Sequence, residues 1–227
     1  MATILITGAN RGIGLELARQ YAAAGDTVIR TIRGDHVPDG VPGMVMRTDV
    51  TNDASVAGLA ASLKDGLKDR PIDLLINNAG VIGPDPASQT STDMDFRGFL
   101  ATLDTNVLGP LRVTQALLPN LRAATGARVA VISSQMGQLS SKQSGFLAYR
   151  ASKAAVNKLF QCLAADLAGE GIAVAMLHPG WVSTDMGGPG ADLDVSESAS
   201  GIRKVLAGLD LASTGRFTAW DGRTLDW

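Results

Sequence analysis

Tyr149 and Lys153 stand four residues apart at the start of a run with helical periodicity, which puts a phenol and an ammonium on one helix face a turn apart. A free tyrosine titrates at about 10, too high for efficient proton transfer at neutral pH, and a neighbouring cation favours the phenolate and lowers that value. The pair reads as a general acid–base with a fixed cation beside it. Ser134 follows an apolar run, Val129 to Ile132, where its hydroxyl could hold a carbonyl oxygen while Tyr149 protonates it. Asn106, inside Leu103-Asp-Thr-Asn-Val107, could tie the lysine to water through its amide. A Tyr-x-x-x-Lys spacing alone fits a half-buried aromatic beside a surface lysine equally well, so it gains meaning only from a second motif.

That second motif is Thr7-Gly-Ala-Asn-Arg-Gly-Ile-Gly14, with Gly8, Gly12 and Gly14 enclosing Asn10, Arg11 and Ile13 directly after an apolar run. Glycine removes the side chain where backbone must approach a pyrophosphate, and the helix that follows offers unpaired N–H groups to the anion. A tight strand-to-helix turn is the other reading, which the position after the first strand weakens. NAD sites carry an acid at the end of the second strand to accept from the ribose 2′-hydroxyl; here that place reads Ile32-Arg33. Arg33, joined by Arg11, suits a 2′-phosphate that a carboxylate would repel, each charge-assisted bond contributing about 1.5–3 kcal/mol. NADP(H) is thereby favoured over NAD(H), while Asp35 and a purely solvated role for the two arginines remain open.

The elements that must carry these residues are legible as an alternation. Apolar runs at Thr3 to Thr7, Thr27 to Ile32, Met44 to Arg47, Leu74 to Ile76, Val129 to Ile132, Val174 to Leu177 and Phe217 to Trp220 predict seven strands. Runs with few polar interruptions suit strands covered on both faces, as in a parallel sheet. Helical spacing links Ile13, Leu17, Ala18 and Tyr21; Val56, Leu59, Ala60 and Leu63; Val107, Leu111, Thr114, Leu118 and Leu121; and Val156, Leu159, Leu163 and Leu167. The result is an α/β doubly wound parallel sheet, a Rossmann-type single domain over 1–227, whose strand ends line one crevice. The Gly/Pro-dense stretch Gly187-Gly-Pro-Gly190 marks a mobile substrate loop at about 185–200.

Composition narrows the partners. Twenty Lys plus Arg against 22 Asp plus Glu give a formal charge of −2 with no basic run, which disfavours nucleic acid. The sequence has no apolar stretch of membrane-spanning length and no leader, so a cytoplasmic location is expected. One cysteine, Cys162, and two distant histidines, His36 and His178, leave no metal-ligand spacing. His178 reads as a hydrogen-bonded structural residue and Cys162 as core, while Met136, Trp181 and Met186 could line a substrate cavity or simply pack.

Taken in order, the glycine turn, Asn77-Asn-Ala-Gly80, Asn106, Ile132-Ser-Ser134, Tyr149-x-x-x-Lys153 and Pro179-Gly-Trp-Val-Ser-Thr184 resemble the short-chain dehydrogenase/reductase family over about residues 3–220. The resemblance implies that Tyr149 is the acid–base residue, that Lys153 lowers its pKa and holds the nicotinamide ribose, that Ser134 orients the substrate carbonyl and that Asn106 supports a proton relay. It prefers Ser134 to Ser133, because the family's active serine precedes a glycine by three, here Gly137. It further implies Asp49 and Val50 against the adenine, Asn78, Ala79 and Gly80 along the adenosine side, and Pro179, Gly180, Val182 and Thr184 around the nicotinamide. The sheet is expected in the order 3-2-1-4-5-6-7. Within the family, the segment from Pro179 to Gly188 and the C-terminal Asp221 to Trp227 are similar to the C-factor and sniffer-like carbonyl reductases. The expected activity is hydride transfer between NADP(H) and a small carbonyl or alcohol, with a homodimer or homotetramer as the family-based assembly. A regulatory protein that uses NADP(H) occupancy without turnover is the alternative. Nucleotide-sugar epimerase or dehydratase chemistry would call for a longer C-terminal substrate region.

Overall fold

A run of valines, isoleucines and leucines with few polar interruptions can be stable as a strand only if helices cover both its faces, and the structure, a computed structural model describing residues 1–67 and 71–227, has that arrangement. In chain order the elements are β1 (Thr3–Ile6), α1 (Gly12–Ala23), β2 (Thr27–Ile32), β3 (Met44–Arg47), α2 (Asp53–Leu67), β4 (Leu74–Asn77), α3 (Phe96–Leu103), α4 (Gly109–Ala116), α5 (Leu118–Arg122), β5 (Arg128–Ile132), α6 (Leu147–Ala168), β6 (Ala173–His178), α7 (Val195–Ala207) and β7 (Phe217–Ala219). The strands form one parallel sheet in the order β3-β2-β1-β4-β5-β6-β7. That is the order expected from sequence.

The period of two along each strand divides the core. Leu5, Ile29, Leu75, Val129, Val131, Val174 and Met176 face α2, α4 and α6, whose Val56, Leu59, Val113, Val156 and Phe160 complete one layer. Ile4, Ile6, Val28, Leu74, Ile76 and Leu177 face α1 and α7, whose Leu17, Ala18, Tyr21, Ala199, Ile202 and Leu206 complete the other. Each fully buried large side chain stabilises the fold by about 1.5–3 kcal/mol, so the two layers hold the strand ends, and the loops leaving them, in fixed positions.

Three local expectations need correction. The helical pattern around Val107 to Leu121 is not one helix: it follows α3, runs through a π-helical turn at Asp104–Leu108, and is broken again at Leu117 before α5. Pro110 and Pro119 lack the N–H an unbroken helix needs at their positions and sit at helix starts, where that loss is harmless. The loop expected at 185–200 ends at Asp194, whose side chain accepts from the Ser196 N–H at 2.7 Å and starts α7. Cys162 is exposed rather than core, because α6 buries Tyr149, Ser152, Lys153, Val156, Asn157, Phe160, Ala164 and Leu167, a stripe that leaves position 162 on the opposite side. Among the described residues, no helix is long and apolar enough to cross a membrane, and no cluster of His, Cys, Asp or Glu could hold a metal ion.

Candidate active site

The turn after β1 and the turn after β4 are stitched together by two polar side chains. Thr7 Oγ1 accepts from the Asn78 and Ala79 N–H groups at 3.0 Å each, and Asn78 Nδ2 donates to the Thr7 and Gly8 carbonyls at 3.0 Å each. Gly8, in the left-handed region at φ 64°, lets the two turns meet, since a Cβ there would lie 2.8 Å from the Ala79 Cα. Gly14 has the same logic: a Cβ would collide with the Asn78 amide and come within 2.6 Å of the Gly8 carbonyl oxygen. The N-cap of α1 is Arg11, which makes no side-chain capping bond, and the first turn carries no acid. The leading N–H groups of a twelve-residue helix thus stay available for an anion.

These turns form one wall of a cleft of about 650 Å³ along the carboxyl ends of the strands. Of the residues predicted to hold a cofactor, Gly8, Asn10, Arg11, Gly12, Ile13, Arg33, Asp49, Val50, Asn78, Ala79, Gly80, Tyr149, Lys153, Pro179 and Thr184 line it. Gly14, Gly180 and Val182 do not. Gly14 backs the turn; Gly180, at φ 89°, stands against Leu193 and Trp220, and Val182 is buried and bridges to Leu193. Asp49 is held below the usual carboxylate range by hydrogen bonds from the Thr51 N–H and hydroxyl, and Val50 is fixed by Arg112, which donates to its carbonyl at 2.7 Å. Arg33 is exposed at the cleft edge, whereas Asp35 turns away to pair with Arg47 at 3.0 Å. Arg11 reaches across to Asp185 at 2.7 Å, with the two side chains 63% and 76% exposed.

At the other end lie the acid–base candidates. Ser134 caps a 3-10 turn at Gln135–Gly137, its Oγ accepting from the Met136 N–H at 3.1 Å, and it lies beside the Tyr149 phenol, whose pKa it lowers. The neighbouring Ser133 lines the cleft, but its hydroxyl is engaged, donating to Asn157, whereas Ser134 is the serine that acts on the phenol. Lys153 is 5% exposed, donates from Nζ to the Ile132 carbonyl at 2.8 Å, and sits 5.4 Å from the Tyr149 ring centroid. Asn106 is buried in the π-helical turn behind the cleft, a feature that recurs at functional sites.

Two electronic expectations are reversed. Burial pushes Tyr149 up to about 12, partly offset by the Ser134 hydrogen bond, and lowers Lys153 to about 8. Desolvation dominates at the phenol, while the ammonium is directed to the Ile132 carbonyl. The Asn106 amide is also spent elsewhere: Nδ2 donates to the Val81 carbonyl and to Ser152 Oγ, and Oδ1 accepts from the Val81 N–H. It latches the post-β4 loop to α6 and makes no bond to Lys153. His178 is buried as expected, but its Nδ1 has no partner, and burial lowers it to about 4, so it is neutral.

Sequence reasoning overlooked Thr7, Gln89 and Arg112. Thr7 lay in the quoted motif without a role, while Gln89 and Arg112 act across more than 50 residues and leave no local signal.

The cleft suits a dinucleotide on its own chemistry: open N–H donors at a glycine cradle, Arg33 at one edge, and the Tyr149–Lys153 pair with Ser134 beside it. The short chain dehydrogenase family model matches residues 2–192. The chain is 45% identical over 158 residues to the C-signal protein of Myxococcus xanthus, covering 69% of this chain and 93% of that one. It is 33% identical to the NADPH-bound carbonyl reductase from chicken fatty liver, with a TM-score of 0.91 over 100% of this chain and 99% of the other. The carbonyl reductase Sniffer of D. melanogaster is 32% identical with a TM-score of 0.92, both chains covered fully.

Proposed function

The chain belongs to the short-chain dehydrogenase family, and from that premise we propose that it is an NADP(H)-dependent carbonyl reductase. The observation that carries this reading is that Tyr149 and Lys153, with Ser134 beside the phenol, line the same cleft as the glycine turn and Arg33. The choice of cofactor rests on Arg33, a cation where a 2′-hydroxyl reader would be acidic, and is supported by the NADPH-bound chicken relative.

Nicotinamide, when bound, supplies or accepts the hydride at the substrate carbon. The Ser134 hydroxyl, whose oxygen already accepts from the Met136 N–H, can turn its single proton from Tyr149 toward a substrate carbonyl oxygen. Tyr149 delivers the proton that the same oxygen needs to become an alcohol, and takes it back in the oxidative direction. Lys153, a turn further along α6, offers the only ammonium lining the cleft among the described residues to balance the phenolate that this transfer leaves. Asp49, Val50 and Asn78 to Gly80 hold the adenosine half. The segment 185–194, with Met186 on the cleft and Arg11 bound to Asp185, closes the substrate side.

NADPH consumption measured across aldehydes, ketones and quinones tests the activity, and Tyr149→Phe tests the assignment. The variant should lose about 10²–10⁴ in turnover with NADPH affinity less affected; near-normal turnover would refute the acid–base role. A regulatory protein that senses NADP(H) is favoured by the likeness to C-signal. It predicts tight NADPH binding with no oxidation by any carbonyl in the panel, and an intact Ser134, Tyr149 and Lys153 cluster weighs against it.

A further inference from the structure

Helix α6 carries both Tyr149 and Lys153, yet it begins without a cap of its own. Its N-cap, Phe146, offers no side-chain acceptor and adopts the left-handed region at φ 52°, the one non-glycine residue with positive φ among the described residues. A helix leaves its first four N–H groups without internal partners, and here two are met from 58 and 60 residues away. The Leu147 N–H donates to the backbone carbonyl of Gln89 at 3.0 Å, and the Tyr149 N–H donates to Gln89 Oε1 at 3.4 Å.

Gln89 is 0% exposed, and its other amide atom is committed: Nε2 donates to the Pro84 carbonyl at 2.7 Å and to the Ile82 carbonyl at 3.4 Å. Those bonds fix which way the amide faces, since a flipped group would set two carbonyl oxygens against each other at 2.7 Å. Ile82 and Pro84 belong to the loop that leaves β4, the loop that begins with Asn78, Ala79 and Gly80 on the cleft and is latched at Val81 by Asn106. Gly83, at φ 98°, brings this loop against α6, a Cβ there lying 3.6 Å from the Ala148 Cβ. A single buried side chain thus joins the cofactor-side loop to the backbone of Tyr149 itself.

We infer that Gln89 is a positioning residue for Tyr149, capping α6 from outside the helix so that the phenol keeps its place against Ser134. The inference rests on the carbonyl reductase reading above. Removing the amide should let the first turn of α6 fray and shift the phenol, and a displacement of about 1 Å can cost about a hundredfold in rate.

The test uses the full chain with Gln89→Leu and Gln89→Glu. Gln89→Leu should lower kcat by about ten- to a hundredfold while NADPH affinity stays unchanged, since Gln89 does not line the cleft. Amide exchange should accelerate at Tyr149, whose N–H loses its acceptor, but not in the middle of α6. Gln89→Glu keeps the acceptor for the Tyr149 N–H, and its protonated carboxyl can replace the donor to Pro84, so its kcat relative to wild type should climb as pH falls. Wild-type exchange at Tyr149 in Gln89→Leu, or a lowered melting temperature with unchanged kcat, overturns the inference. If Gln89→Leu does not fold, a Gln89→Glu variant whose relative kcat is flat with pH overturns it instead. A wild-type protein that reduces no carbonyl in the panel sinks the functional reading; the exchange data then decide the capping role on their own.

Discussion

Replacing Lys153 with methionine should make the protein more stable at neutral pH while removing the ammonium from the acid–base cluster. Lys153 is 5% exposed, and burial lowers its pKa from 10.5 to about 8. At about 1.4 kcal/mol per unit, holding that ammonium in the folded state costs about 3 kcal/mol relative to the unfolded chain. Below pH 8 both states are protonated and the whole penalty is present; between about 8 and 10.5 the unfolded chain binds more protons, so this site's contribution becomes more favourable as pH rises, and the penalty is gone above 10.5. Lys153→Met keeps the length and the apolar stem, and it loses the bond to the Ile132 carbonyl, worth about 1 kcal/mol. The net expectation is a gain of about 2 kcal/mol at neutral pH, seen as a Tm rise of about 4–8 °C for a chain of this size. Near pH 10.5 the sign reverses and the variant is the weaker by about 1 kcal/mol. Urea unfolding of both proteins across this range reads the difference directly, because groups common to both cancel. A variant that is less stable at neutral pH, or a difference that stays flat to high pH, would mean that the wild-type ammonium is not desolvated.

Arg33→Asp should weaken NADPH by about ten- to a hundredfold, the equivalent of one charge-assisted bond of about 1.5–3 kcal/mol, while NADH binding changes far less. Equal losses in fluorescence titrations of the two nucleotides would remove the 2′-phosphate argument. Gly14→Ala places a methyl against the Asn78 amide and the Gly8 carbonyl, an overpacking that should cost about 1–3 kcal/mol in denaturant unfolding and lower affinity for either nucleotide. Wild-type stability and affinity in that variant would show that the two turns are not packed as described.

Much of the fold was legible because each strand advertises itself by apolar content and each turn by glycine. Thr27–Ile32 and Met44–Arg47 fall at the expected residues, since nothing at their ends competes with local preference. The misreadings share a physical origin. Val107, Leu111, Thr114, Leu118 and Leu121 keep helical spacing across the π turn and the break at Leu117, and an apolar count cannot register the one added residue that turns Asn106 inward. Asp194 and Glu197 stand three apart, a capping pair that marks the start of α7, but the preceding glycines and proline drew the boundary too late. Within the candidate site, the closeness of Tyr149 to Lys153 was legible from their spacing, while the choice of Ser134 rested on the family resemblance. The electrostatics of the pair were not legible, because proximity in sequence reports a charge neighbour and not the solvent excluded around both groups.

That exclusion shapes how the pair can work. One cause, burial, moves Tyr149 to about 12 and Lys153 to about 8, so each is drawn toward its neutral form. A phenol at that value donates its proton less readily than free tyrosine, and only the Ser134 bond on this chain pulls it back. The ammonium spends itself on a neutral acceptor, the Ile132 carbonyl, 2.8 Å away. As the phenol gives up its proton, an anionic oxygen develops beside the lysine, and a charge-assisted bond to it is about twice as strong as a neutral one. Lys153 then gains most from turning toward Tyr149 in the state where the proton has left, and least before transfer begins. An interaction that strengthens along the reaction lowers the barrier, whereas one already complete in the resting site would not. On the proposed reading, the raised Tyr149 is therefore compatible with acid catalysis, and the lysine's misdirected bond is what leaves that stabilisation to be gained during the proton transfer.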